Sequence, residues 1–280
     1  MSFQAWLKQE RWLNSSRGLI GRWFFRRRRV SGREEIWLTA LWLVPFCLVW
    51  WQPFLLTYAA LVLAVTAAIT AWRTWERGVA LLAWLASLFM LALYWGSSFL
   101  LWLFLETTSV RLLLLSICAI VGWWYLVDWH RYRRLGDEAE RGSGQLSTVA
   151  AGFMSALALG SAAQGLIVFL DTALWTLLWG CYLPLVLSFI SLVYINGWSV
   201  RRAWAYYLTA AAVLLQVFIL VTWWPTTIFT VGFVLAVTYA MLGLSLRQEA
   251  QGFINRRSFG KELLLLAVAL VIVLLTASWY

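Results

Sequence analysis

Residues 146–172 read LSTVAAGFMSALALGSAAQGLIVFLDT, and no charged residue falls between Val149 and Leu170. At about 1.5 Å per residue, a helix of this length crosses the roughly 30 Å hydrocarbon core of a bilayer. Within it small residues recur at every fourth position, Gly152, Ala156 and Gly160, with Ser155, Ala158, Ala162 and Ala163 beside them. That spacing puts the small side chains on one stripe of a helix. In lipid, burying apolar surface between helices gains little, so helices associate where small residues let their backbones approach. The stretch predicts a central packing helix, the hub of a helical membrane protein.

The rest of the composition agrees. The chain has 280 residues, 63% hydrophobic and 12% charged, with a mean hydropathy of +0.78. A soluble domain carries about a quarter of its residues charged. Strand-like alternation is absent, which argues against a β-barrel. The expected fold is therefore all-α, a polytopic transmembrane bundle. The net charge of +10 points to lipid and not to nucleic acid, because the cations sit in loops between apolar runs. There they orient the protein and meet anionic headgroups. Cys47, Cys118 and Cys181 lie inside apolar runs without Cys-x-x-Cys spacing, and His130 is the single histidine. No metal site and no cofactor is expected from such a set.

Residues 1–35 are basic, with apolar pairs Trp6-Leu7, Trp12-Leu13, Leu19-Ile20 and Trp23-Phe24. They predict a cytoplasmic, in-plane amphipathic segment that ends in Arg26, Arg27, Arg28 and Arg29 at the lipid headgroups. A partner-binding arm is the alternative. This segment is too long for a signal-peptide n-region, and the first apolar run lacks a small-residue cleavage site. Spans are expected near 36–52, 54–72, 78–95, 108–128, 147–170, 173–195, 203–223, 226–246 and 263–280, about nine in all. They form two sets, 36–128 and 146–280, around a charged loop at 129–145. With the N-terminus inside, the inner segments hold 21 of the 22 Lys and Arg residues, Arg111 being the exception. That asymmetry predicts a cytoplasmic (inner) membrane protein with its N-terminus cytoplasmic and its C-terminus outside. Trp and Tyr gather near the span ends, as interfacial belts do.

Two internal similarities stand out. Residues 46–66 match 218–238 at a constant offset, with Phe46, Leu48, Val49, Trp51, Pro53 and Val62–Thr66 recurring identically. More weakly, 91–107 resembles 157–172 with one gap. Together they suggest helical hairpins repeated in parallel, with a closing ninth helix. In the second pair an acidic residue precedes threonine, Glu106-Thr107 and Asp171-Thr172. Either pair can cap the N-terminus of the returning helix. Residues 96–111 are read as a continuation of the third span past Gly96-Ser97-Ser98 to Glu106.

The same similarity frames the functional expectation. If Gly96-Ser97-Ser98 and Gly160–Gly165 break their helices, the freed backbone must face protein or a polar cavity. Ser97, Ser98, Glu106, Ser161, Gln164 and Asp171 are then candidate substrate or ion contacts. Alternatively, Gly, Ser and Ala there only permit close packing. Asp128 and His130 with Arg131, Arg133 and Arg134 read as an interfacial polar cluster, since no nucleophile or metal ligand accompanies them. Arg111 is expected to pair with Glu106 or to snorkel outward. The sequence thus leaves two functional classes. One is a non-catalytic membrane subunit or scaffold packing with lipids and other membrane proteins. The other is a transporter or flippase-like protein with its site at the helix breaks. A catalytic role is not expected, because the cytoplasmic loops are too short to fold an enzyme domain.

Overall fold

The computed structural model describes residues 33–74, 81–135, 141–195, 200–224 and 227–250, together with residues 260, 264, 267–271 and 275. The N-terminal amphipathic segment up to residue 32, including Arg26–Arg29, lies outside the described residues, as does most of the expected ninth span. The chain divides into Met1–Glu34 and the bundle Glu35–Tyr280. Among the described residues there are helices and no strand, and eight helices are long and apolar enough to cross a membrane. The protein is a multi-pass helical membrane bundle.

The elements are α1 (Arg33–Trp51), α2 (Leu56–Thr74), α3 (Leu81–Leu103), α4 (Thr108–Leu135) and α5 (Arg141–Leu170). The sixth span, α6, joins Leu174–Leu177, a π turn at Leu178–Tyr182 and Leu183–Ile195; α7 (Val200–Thr222) and α8 (Ile228–Ala250) follow. Two of these helices outrun their expected spans. α4 continues to Leu135 and α5 begins at Arg141, so most of the segment expected as the 129–145 loop is helix. α3 ends at Leu103 rather than Glu106, and residues 104–107 make the turn into α4.

The hub is α5, which touches α3, α4, α6, α7 and α8 and packs most extensively on α8. Glycines make that contact possible. A Cβ on Gly160 would lie 2.8 Å from Gly232 Cα, and one on Gly232 would overlap Ser161 Oγ and the Leu157 carbonyl oxygen. One on Gly152 would run into the Tyr239 ring. Ala156, Ala162 and Ala163 are fully buried along the same helix. At such approach, glycine Cα–H groups face oxygens of the partner helix, a weak attraction that a side chain would replace with a clash.

Two hydrophobic cores meet on this helix. The first joins Ala151 and Ala158 of α5 to α1, α3 and α4, and is aromatic: Trp42, Phe46, Tyr94, Trp95, Phe99 and Trp102. The second joins Val149, Ala156, Leu159 and Ala163 of α5 to α6, α7 and α8. Hydroxyl groups clip neighbouring helices by donating to carbonyls that already accept a helical bond. Tyr94 donates to Cys118 O at 2.9 Å, Tyr125 to Ser87 O at 3.1 Å, Tyr182 to Ala211 O at 2.9 Å and Ser191 to Ala86 O at 2.6 Å. The second lone pair of each carbonyl is free for this, and such bonds contribute about 0.6–2 kcal/mol apiece in membranes.

The π turn in α6 has a local cause. Pro184 has no N–H for the carbonyl of Gly180, and its ring crowds that carbonyl. The helix widens one turn earlier, with the Leu183 N–H donating to Leu178 O five residues back. Gly180 faces open space, flanked by exposed Trp179.

Replacing Gly232 with leucine should destabilise the bundle by about 3 kcal/mol, the upper range for overpacking. Gly96→Ala, where a Cβ would meet nothing within 4 Å, should be neutral or slightly stabilising. Unfolding in a denaturing detergent series, read by circular dichroism, checks both. Equal behaviour of the two variants would remove the close-approach account of the α5–α8 contact.

Candidate functional site

Gly96-Ser97-Ser98 and Gly160–Gly165 do not break their helices: α3 and α5 run unbroken through both. Ser97 donates to Tyr94 O at 3.1 Å, returning its hydroxyl to its own helix, a bond that serine commonly makes without ending a helix. Gly160 and Gly165 are occupied by neighbours, Gly232 and the Phe104 ring.

The expected contacts are also dispersed. Ser161 is fully buried against Gly232, in the contact between α5 and α8. Ser98, equally buried, lies near the Cys118 thiol of α4 without a well-formed hydrogen bond. Gln164, one turn beyond Ser161, is buried with Oε1 unpartnered among the described residues. Glu106 and Asp171 are exposed in the turns after α3 and α5. Those two carboxylates are not interior ligands in this arrangement.

Nor do they cap the returning helices. Asp171 adopts φ 47°, a left-handed conformation that aspartate tolerates better than most residues. This closes α5: the Asp171 N–H donates to Ile167 O at 3.1 Å, and the Thr172 hydroxyl donates to Leu166 O at 3.0 Å. The N-cap of α6 is Ala173, with no side-chain hydrogen bond. Around Glu106 the polar work falls to Arg111. Its Nε donates to Leu105 O at 2.6 Å, and its guanidinium stands 4.8 Å over the Trp102 ring. It therefore closes the end of α3 instead of pairing with Glu106.

The charged groups that the bundle does bury lie at its other end. Glu35 at the start of α1 and Asp128 near the end of α4 are each 2% exposed. Glu35 Oε1 is 3.6 Å from His130 Nδ1, which is also 3.1 Å from Leu126 O. A carbonyl can only accept, so this geometry places a proton on Nδ1. Glu35 Oε2 and Asp128 Oδ2 have no hydrogen-bond partner among the described residues. Buried charges at a membrane edge are costly unless paired, so the Glu35–His130 contact ties α1 to α4 at a sensitive point. Glu35 escaped notice in the sequence because it stands in a basic, polar stretch. Its place two residues before Trp37, at the entry to the first apolar run, was the available signal.

A second cluster lies between α1 and α3. Trp42 stacks on Trp95 with centroids 6.0 Å apart and planes 7° from parallel. Phe46 meets Trp95, Phe99 and Trp102 edge-on at 6.2, 5.2 and 5.8 Å. The indole nitrogens of Trp42, Trp95 and Trp102 are all buried without an acceptor among the described residues. In the sequence these tryptophans read as part of the apolar runs and interfacial belts. Only their shared face distinguishes them.

A double-mutant cycle on Glu35→Gln and His130→Ala should give a coupling of at least about 1 kcal/mol in unfolding free energy. Strict additivity would mean that the two side chains act independently.

Compared with known proteins, the chain matches no family model, no curated protein and no solved structure.

Proposed function

We propose that the chain is a non-catalytic integral membrane subunit or scaffold that packs with other membrane proteins and with anionic lipids. The observation that carries this reading is the use made of the small residues. Gly152, Gly160 and Gly232 are spent on helix–helix contact and Gly165 on the Phe104 ring, and α3 and α5 run unbroken where a transport site would need them to open. The outer carboxylates Glu106 and Asp171 sit in exposed turns, where they are hydrated and not poised to bind a dehydrated ion. The excess of Lys and Arg in alternate loops supports an orientation with the N-terminus cytoplasmic and the C-terminus outside, in a cytoplasmic membrane. In that orientation Arg26–Arg29 belong to the cytoplasmic charge excess, and anionic headgroups would attract such residues at about 1 kcal/mol each.

The transporter or flippase-like alternative retains one supporting observation. Ser161 Oγ and Gln164 Oε1, one helical turn apart on α5, are buried and unpartnered among the described residues. A substrate with donor groups would suit them.

Extraction from native membranes in a mild detergent, followed by native mass measurement and peptide identification, separates the two. A defined assembly containing other chains is the expected result. A lone 32.1 kDa chain, with substrate flux that disappears in Gln164→Ala, would transfer the function to transport. Under the subunit reading, Glu106→Gln and Asp171→Asn leave the assembly intact, whereas Gly160→Leu disrupts it.

A further inference from the structure

Of the two carboxamides inside the eight spans, Gln164 is buried and Gln216 of α7 is exposed. The span runs from Trp204 to Thr222, so Gln216 has twelve residues on one side and six on the other. At about 1.5 Å per residue it stands roughly 9 Å inside the nearer end. Its side chain is shorter than the Lys and Arg stems that snorkel, so the amide stays at hydrocarbon depth. No water serves it there, and an unpaired amide in hydrocarbon is costly. Gln216 makes no hydrogen bond among the described residues. Exposed hydroxyls on the same bundle are satisfied within their own helices: Thr209 donates to Ala205 O at 2.8 Å and Ser116 to Leu112 O at 2.9 Å.

The face around Gln216 is unlike one built for lipid. Ala210, Leu214 and Phe218 are at most 1% exposed and belong to the second core. At about 100° per residue, the opposite side of α7 carries Ala205, Thr209, Ala212 and Gln216, all exposed. Leu, Ile, Phe and Val are the favourable residues against acyl chains, and none stands at these four positions. Small residues at such spacing let a second helix approach, and a carboxamide among them supplies the bond across the contact. The crossing of α5 and α8 uses the same closeness, with Gly160 against Gly232.

The chemistry of the amide selects the partner. Gln216 offers two N–H donors and an acceptor oxygen, so two such amides satisfy each other through a reciprocal pair of N–H···O bonds. A lipid headgroup lies too shallow to reach it, and a bare ion would find one neutral oxygen. A second copy of the chain carries the same amide at the same depth. A two-fold axis along the membrane normal keeps both copies in one orientation and sets each residue of the face against its own image. We propose that α7 pairs with α7 of a second copy, through the small residues Ala205, Thr209 and Ala212 and a reciprocal hydrogen-bonded pair of Gln216 amides. The pairing goes beyond the subunit reading and is independent of it, because a transporter can dimerise through the same face.

The test uses the full chain in a mild detergent, with sedimentation equilibrium in density-matched micelles. The 32.1 kDa chain should show a reversible monomer–dimer equilibrium. Gln216→Leu should weaken it about tenfold, and Ala212→Leu, which holds the helices apart, at least as much. Both positions are exposed, so the unfolding midpoint should stay in place, which separates lost pairing from lost fold. In native membranes, Ala212→Cys on a Cys47→Ser background should give a disulfide-linked product of twice the chain mass on oxidation; Cys118 and Cys181 are buried and do not compete. Val65→Cys, on the exposed side of α2, should give none. The proposal is overturned by a chain that is monomeric in micelles and yields no Ala212→Cys product, or by a dimer indifferent to Gln216→Leu. Equal cross-linking of Val65→Cys overturns it too, as does capture of a different protein alone by Ala212→Cys, which would seat another chain's helix on this face.

Discussion

The bundle depends on two helices approaching closely enough for their backbones to touch. At the crossing of α5 and α8, Gly160 faces Gly232, and Gly232 lies against Ser161 Oγ and the Leu157 carbonyl. In lipid there is no hydrophobic gain to offset a poorly fitting contact, so fit itself must supply the attraction through dispersion and weak polar contacts. Once these backbones meet, the remaining faces of α5 are presented to both cores. Ala151 and Ala158 go to one, and Val149, Ala156, Leu159 and Ala163 to the other.

The two cores solve the same problem differently. The α5–α8 side uses the absence of side chains. The α1–α3 side uses large flat ones, with Trp42, Phe46, Trp95, Phe99 and Trp102 interleaved as stacked and edge-on pairs. Aromatic pairs add about 0.5–1.5 kcal/mol each beyond burial, and they keep helices further apart than glycines do. Even here a glycine intervenes, because a Cβ on Gly122 of α4 would lie 2.6 Å from the Trp95 ring. Hydroxyl-to-carbonyl bonds, such as Tyr125 to Ser87, then fix the helices against sliding.

Much of the fold was legible in the sequence, because crossing a bilayer forces length and apolarity on each segment regardless of what it packs against. The candidate site was far less so. Gly96-Ser97-Ser98 and Gly160-Ser161 have a composition that suits a break and a close contact equally, and only the neighbouring helix decides between them. Asp171-Thr172 sits between two helices and can cap either; the left-handed φ of Asp171 commits it to the first. Glu35 and His130 lie about a hundred residues apart, so no local pattern could pair them. The π turn was more accessible: Gly180 four residues before Pro184 carries its cause within one turn.

The repeated hairpin places one short sequence in two settings. Val62–Thr66 and Val234–Thr238 are identical, and the preceding Trp51 and Trp223 are alike in being exposed. Yet Val65 is 50% exposed and Val237 1%. Ala64 and Val65 face outward in α2, whereas their counterparts Ala236 and Val237 are packed in protein in α8. The molecule therefore contains its own transfer experiment: a substitution made in parallel at the two copies compares lipid with protein interior as solvents for one peptide segment, with helix propensity held constant.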